Sequence, residues 1–448
     1  MIYEFTVENF RSFGKAQTLS LIKGKEQNKP ENLIGGPPGF PMAVRTAAVF
    51  GHNASGKSNL VFAVKVFVQT IRDSAINLNP GALIPEIVPH RLDPEWDGKP
   101  TRFEIVFQMK DRVFRYGFSA SPLIITEEKL TEEFKSGASY KLFERKRRTG
   151  GYAANVEFFG NEFDYAAKDN VPKLTRDNAL VLSSGANLNV PLLRDIYTYI
   201  VNCVSTVVLT FFGTTTALLA NSLQKDNVFS SQLLNILRDA GTGIKGIRVE
   251  SSPDPNANEI ELARQTLISW RVTRAAEMAP YVARQDKIFF EHARTDGEKA
   301  EFLWTEESLG TQLFAQAFWL FLDAFKCGKT IFFDEFGANL HPLLAERLIE
   351  LFQNPENNRN KAQLIFTTHH SQLMMPSLFR KDQIWFVEKS PKGQTELFNL
   401  ADFRGEKYTR SSEAFEKNYL AGRYRGIGTF GSTLSGVPII RGEDEAGT

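Results

Sequence analysis

The chain has 448 residues, 42% hydrophobic and 23% charged, with a formal net charge of +1. That composition excludes a disordered chain and bulk electrostatic recruitment of nucleic acid, so any such binding would need a local patch. Two cysteines, Cys203 and Cys327, both in apolar surroundings, exclude a disulfide framework or a zinc site and suit a reducing cytosol.

Met1 to Leu21 alternates with a period of two and lacks a basic stretch followed by an apolar one, which predicts strands and no signal peptide. Ile2 to Val7 is the first strand, Asn9 to Phe13 breaks it, and a second ends near Leu21. Lys23 to Pro41, rich in glycine and proline, is a loop. An apolar run, Ala47 to Phe50, then enters GHNASGKSN, and Leu60 to Val68 continues as a helix. Gly51, Gly56, Lys57 and Ser58 fit G-x-x-x-x-G-K-[ST] between a strand and a helix. Gly51, Asn53, Ala54, Ser55, Gly56, Lys57, Ser58 and Asn59 therefore form the candidate nucleotide loop. Its backbone N–H groups turn around phosphate oxygens, the Lys57 ammonium reaches the β and γ phosphates, and the Ser58 hydroxyl holds Mg²⁺. The expected cofactors are ATP and Mg²⁺.

Asn77 to Pro100 is again loop-like. Arg102 to Phe107 and Arg112 to Ala120 predict a hairpin around Lys110-Asp111. Ile124 to Leu130 and Tyr140 to Arg145 extend it into an antiparallel sheet. Lys141, Arg145, Lys146, Arg147 and Arg148 form the densest basic cluster, read as a solvated hairpin tip. Val190 to Leu209, Ser230 to Ala240 and Leu262 to Ala279 have helix length, with Gly241, Gly243 and Gly246 between them, which predicts a largely helical insertion over 190–284. The longest apolar-rich run, Leu313 to Phe325, contains Gln316 and Asp323 and is too short to span a bilayer, so a cytoplasmic protein without membrane contact is expected.

Thr330 to Phe333 is a buried-strand run ending in Asp334-Glu335. There Asp334 is placed to support Mg²⁺ and Glu335 to take a proton from an attacking water. This pair lies much further from Lys57 than a compact nucleoside triphosphatase core needs. Leu364 to Thr368 is another buried strand, ending in His369, whose imidazole can hydrogen-bond a γ-phosphate or the water; His369 is preferred over His370.

The wide separation, with Glu307-Ser308-Leu309-Gly310-Thr311-Gln312 before Asp334, resembles ABC-type ATPases of the SMC, Rad50 and RecF kind. The resemblance implies that Ser308 and Gly310 form a signature acting in trans on nucleotide bound by an opposing subunit. It also implies that Gly337 to Pro342 is the D-loop and His369 the switch residue. The segments IYEFTVENFRSF, VPHRLD, TRFEIVF, FRYGF, TRDNALVLSSGANLN and FEKNYLAGRYRGI resemble the bacterial AAA-15/AAA-21 class of anti-phage operons, which includes the RloA and AbiLi proteins and the PARIS ATPase subunit.

The implied fold class is α/β, an ABC-type P-loop NTPase head with an antiparallel β subdomain and a helical insertion. It divides into 1–189, 190–284 and 285–448. The implied function is an ATP-binding and hydrolysing switch, a homo-oligomer with composite ATP sites that restrains or activates a separately encoded effector nuclease or toxin under a phage-derived trigger. The coupling glutamine of many ABC heads has no assigned counterpart; Asn187 and His90 stand in the plausible regions. Overcoming-lysogenization nucleases append a Toprim carboxylate set, whereas Glu443-Asp444-Glu445 here has no strand behind it, so the effector is expected on another chain. Two rival functions stay open, a DNA-repair or DNA-clamping ATPase and a non-hydrolysing ATP-bound scaffold, and with them direct nucleic-acid binding. The insertion leaves no room for sustained heptads.

Overall fold

A computed structural model describes residues 1–147, 154–208, 212–269, 275–403, 415–424 and 426. Strands β1 (Ile2–Glu8) and β2 (Gln17–Ser20) pair antiparallel, as their alternation predicts. The short β3 (Leu33–Ile34) and β4 (Ala43–Val44) pair in the following loop and lead to β5 (Thr46–Phe50) and helix α1 (Lys57–Asp73). Then β6 (Thr101–Met109), β7 (Arg112–Ala120), β8 (Ile125–Glu133), β9 (Ser139–Arg147) and β10 (Ala154–Phe158) complete a seven-stranded sheet of order β10-β9-β8-β7-β6-β1-β2. Its pleat turns Phe103, Ile105, Phe107, Phe114, Tyr116 and Phe118 into the core. The opposite face carries ion pairs such as Arg115 with Glu104 at 2.7 Å and Glu133 at 3.2 Å.

The same pleat corrects the reading of the basic cluster. Arg145 pairs in register with Glu128 on the inner face and is 1% exposed, donating to the carbonyl oxygens of Ala179, Arg176 and Asp177. Lys141 and Lys146 do lie outside, paired with Glu144, and Arg148 falls outside the described residues.

Helices α2 (Tyr165–Leu174), α3 (Val181–Asn187) and α4 (Pro191–Cys203) come next. The segment read as helix-length to Leu209 changes state at Cys203: its β-branched run Val204–Val207 is strand β11, paired parallel with Thr330–Phe333. Beyond it come α5 (Phe212–Lys225), α6 (Asn227–Asp239), β12 (Ile244–Glu250), α7 (Ala257–Ser269), α8 (Ala275–Arg284), β13 (Lys287–Ala293) and β14 (Lys299–Leu303). Part of the glycine-punctuated stretch is thus a strand: after Gly241 and Gly243, Ile244–Glu250 pairs antiparallel with β13, with a register shift between Ile244 and Gly246, and joins a three-stranded sheet, β12-β13-β14.

The chain closes with α9 (Leu309–Cys327), β15 (Thr330–Phe333), α10 (Pro342–Gln353), β16 (Gln363–Thr368), β17 (Ile384–Lys389), β18 (Thr395–Asn399) and α11 (Phe415–Leu420). The acidic triplet Glu443 to Glu445 lies outside the described residues. The second sheet has the order β11-β15-β16-β5-β17-β18 and is parallel except for β18.

Successive residues of its strands enter two different cores. Ala47, Val49, Phe332, Ile365 and Val387 face α1, while Ala48, Phe50, Ile331, Phe333, Leu364, Phe366 and Phe386 face α9 and α10. Coverage on both faces is why these strands read as unbroken apolar runs. Helix α1 has no exposed residue because it lies between the two sheets, and its middle, Leu60 to Val68, is apolar except for Lys65. Phe67 stacks on Phe118 at 5.6 Å and meets Phe5 edge-on at 5.8 Å, and such a ring stabilises by about 1.5–3 kcal/mol when fully buried. Gln363 fastens the sheets together, accepting from the Ile2 N–H at 2.6 Å and donating to the Ile2 and Val44 carbonyls.

Candidate functional site

Three neighbouring parallel strands, β15, β16 and β5, end side by side, and the loops beyond their ends meet in a cavity of about 360 Å³. It is lined by Asn53, Ala54, Ser55, Gly56, Lys57, Ser58, Asn59, Glu335 and His369. Crevices at the carboxyl ends of parallel strands are where α/β sheets bind ligands, because helix N-termini and loops converge there.

The loop after β5 is shaped by its tight contacts. At Gly56 φ is 113°, and a Cβ there would lie 2.2 Å from Thr395 Oγ1. Ala54 also takes a left-handed φ of 62°. Helix α1 starts at Lys57 with no side chain capping it, so its first-turn amides and the positive end of its dipole serve the cavity. The Ser55 hydroxyl is fully buried with no hydrogen-bond partner among the described residues. Lys57 Nζ donates to the carbonyl oxygens of Gly51 at 2.7 Å and His52 at 3.0 Å. Burial pulls its pKa down to about 8, against the opposing pull of Asp334 and Glu335.

The opposite wall depends on Thr367 of β16. Its hydroxyl donates to Asp334 Oδ1 at 2.7 Å and accepts from the Glu335 N–H at 2.8 Å, fixing both acids at the end of β15. The Asp334 N–H in turn donates to Val207 O of β11 at 2.8 Å. Glu335 turns back with φ at 55°, a left-handed conformation that costs a glutamate of order 1–3 kcal/mol and is characteristic of functional sites. Its carboxylate is exposed, whereas Asp334 is buried. Burial and the Lys57 charge hold the His369 imidazole below its ordinary pKa, opposed by Glu335 and Asp334, so it is neutral at pH 7.

A hydroxyl at Ser58 and a carboxylate at Asp334 engaged by Thr367 through one oxygen make a hard-oxygen donor set. It fits Mg²⁺ shared with phosphate oxygens and water. Among the described residues no group of three His, Cys, Asp or Glu could hold a metal without such a ligand.

Ser308 and Gly310 do not join this cavity. Exposed Ser308 caps α9, its Oγ accepting from the Thr311 N–H at 3.1 Å. Gly310 packs so closely on the turn after Glu335 that a Cβ would lie 2.8 Å from Asn339 O. His370 also stays off the cavity wall. Buried His90 is held by Asn9 and Arg11, and Asn187 ends α3 exposed; neither lines the cavity.

Sequence reasoning passed over Thr367, Ser12 and Thr395. The Thr395 hydroxyl donates to Ser55 O at 2.9 Å and lies 2.8 Å from Ser12 Oγ, which accepts from Asn59 at 2.7 Å. The Ser-Phe turn after β1 and the alternating Thr395-Glu396-Leu397-Phe398 run carried a structural signal but none of contact with the loop.

A glycine-lysine loop at the end of a buried parallel strand, facing acids and a histidine on the adjoining strands, defines a P-loop α/β domain of the AAA ATPase class. Residues 47–179 and 220–375, more than half of the chain, match the family described as "AAA domain, putative AbiEii toxin, Type IV TA system", and the chain belongs to that family. No curated protein matches it. No helix among the described residues is long and apolar enough to cross a membrane.

Proposed function

We propose that this chain is an ATP-binding and hydrolysing switch subunit of a bacterial anti-phage system, built as an ABC-type head that works in a homo-oligomer. The observation that carries the reading is the division of its groups: Lys57, Ser58, Glu335 and His369 line one cavity, while exposed Ser308 and half-buried Gly310 sit outside it. In this reading Lys57 and the α1 amides bind the phosphates, Glu335 accepts a proton from the attacking water, and neutral His369 hydrogen-bonds the γ-phosphate or that water. Bound Mg²⁺, held by Ser58 and Asp334, would neutralise charge developing on phosphate oxygens. Ser308 and Gly310 complete the site of a neighbouring subunit. The inserted part of the chain, beginning after β11, transmits the assembled state to a separately encoded effector, a Toprim-like nuclease or toxin, and a phage-derived trigger selects between the states.

Mixing tests the composite site. A Lys57→Ala chain and a Ser308→Arg chain, each inactive alone, should together regain ATP hydrolysis, because complementary halves form one intact site. Hetero-oligomers without recovery would sink the trans arrangement. Growth arrest that requires the genomic neighbour, and is lost with Lys57→Ala, supports control of a partner; arrest by the lone chain irrespective of Lys57 refutes it.

A further inference from the structure

The segment FEKNYLAGRYRGI has no part in the chemistry above, yet its described residues, 415–424 and 426, touch Ser371 and His52, which adjoin cavity-lining residues on its two sides. At one end, Glu416 Oε1 accepts from the Ser371 hydroxyl at 2.8 Å, and the Ser371 N–H donates to the carbonyl oxygen of His369 at 3.0 Å. At the other, the Gly426 carbonyl accepts from the His52 N–H of the nucleotide loop at 3.0 Å and from the Tyr419 hydroxyl at 3.2 Å. His52 is itself one of the two residues whose carbonyls hold Lys57.

Between these ends lies an aromatic stack on Phe50, the last residue of β5, and Phe386 in the middle of β17. Tyr419 and Tyr424 stack on Phe386 at 5.4 Å and 5.6 Å, and Tyr419 also lies 6.4 Å from Phe50. Phe415, Tyr419 and Tyr424 are all buried. The stack fixes where the segment sits, and the two polar ends fix what it holds. Gly426 is suited to this approach: its φ is 98°, and a Cβ would meet the Phe386 side chain at 3.4 Å. Packing alone would require neither polar end.

We infer that this C-terminal segment is a strap that sets the nucleotide loop and the histidine loop in register, with Glu416 a positioning residue for His369 and Gly426 one for His52. The inference rests on the nucleotide-site reading above. Glu416 touches no reacting atom; it acts by fixing the Ser371 turn and through it the backbone of His369. Loss of one anchor should therefore damage one function at a time. The histidine side governs turnover, and the loop side governs affinity.

The test uses the full chain and measures ATP dissociation constant, kcat and thermal midpoint. Glu416→Ala should lower kcat about tenfold with affinity changed by less than about twofold, since a displaced catalytic group costs rate without costing ground-state binding. Ser371→Ala should reproduce that loss, the double variant should lose no more than either single one, and Glu416→Gln, which keeps an acceptor oxygen, should restore most of the rate. Gly426→Ala should instead weaken ATP binding. Unchanged kcat in Glu416→Ala, beside an active wild type, overturns the strap and leaves the nucleotide site standing. Equal losses of kcat, affinity and thermal midpoint in all variants overturn it in favour of mere packing. A wild-type chain that binds no ATP overturns both readings.

Discussion

The two large sheets of this protein are built by opposite rules. The antiparallel sheet has one apolar face and one ion-paired face and supplies no residue to the cavity wall, whereas the parallel sheet is buried on both faces and supplies the strand ends that feed it. Parallel strands all point the same way, so their ends collect loops and helix dipoles at one edge; antiparallel strands disperse them. The antiparallel sheet contributes rigidity instead. Glu128, buried on its inner face, accepts from the N–H groups of Val181 and Leu182 and from the Tyr116 hydroxyl, beside Arg145. One sheet should therefore be sensitive in stability and the other in turnover.

The largest expected effect is on the frame. Arg145→Met leaves the carbonyl oxygens of Ala179, Arg176 and Asp177 without their buried donor and should cost about 3 kcal/mol in chemical denaturation, with kcat per folded molecule unchanged. A change in kcat would break the division. Glu335→Gln is its counterpart on the other sheet: single-turnover assays should show hydrolysis down about hundredfold with ATP still bound and the melting point kept. Lys57 offers a graded version. Because burial lowers its pKa to about 8 in the free protein and phosphate favours the ammonium, ATP affinity should fall about tenfold per pH unit above that value, and Lys57→Ala should show no such slope. The sign for stability is the reverse: the folded chain binds fewer protons than the unfolded one from about 8 up to the ordinary lysine range, so the Lys57 contribution improves with pH across that window. The smallest effect sharpens the contrast most. Glu335→Gly removes a left-handed non-glycine residue and should raise stability by about 1 kcal/mol while abolishing turnover, measured on the same preparation.

Much of this was legible in the sequence where neighbours in the chain are neighbours in space. The strand, glycine loop and helix from Thr46 to Asp73 are contiguous, and the period of two in β6 to β9 needs no partner to be seen. Strand β11 was not legible, because Val204 to Val207 continues the apolar spacing of α4 without a break. The inward turn of Arg145 is implied by alternation alone, but its basic neighbours hid it. Thr367, Thr395 and Glu416 were missed for a different reason: each acts on a residue far away in the chain, and only the sheet order, which no local pattern encodes, brings the pairs together.

The clamp on the nucleotide loop has a consequence for how the protein is made. The space that only glycine leaves at position 56 is filled by Thr395, and the hydroxyl of Ser12 meets both Thr395 and Asn59. The loop is thus closed by a residue translated early and one translated late. On the ribosome, the emerging chain has its lysine and first helix long before it has the clamp that shapes them. Contacts of such sequence separation form late and slowly, so a competent ATP site is among the last features a nascent chain acquires. Synthesis of nearly the whole described chain becomes a timer, and a truncated product would carry the motif without the pocket.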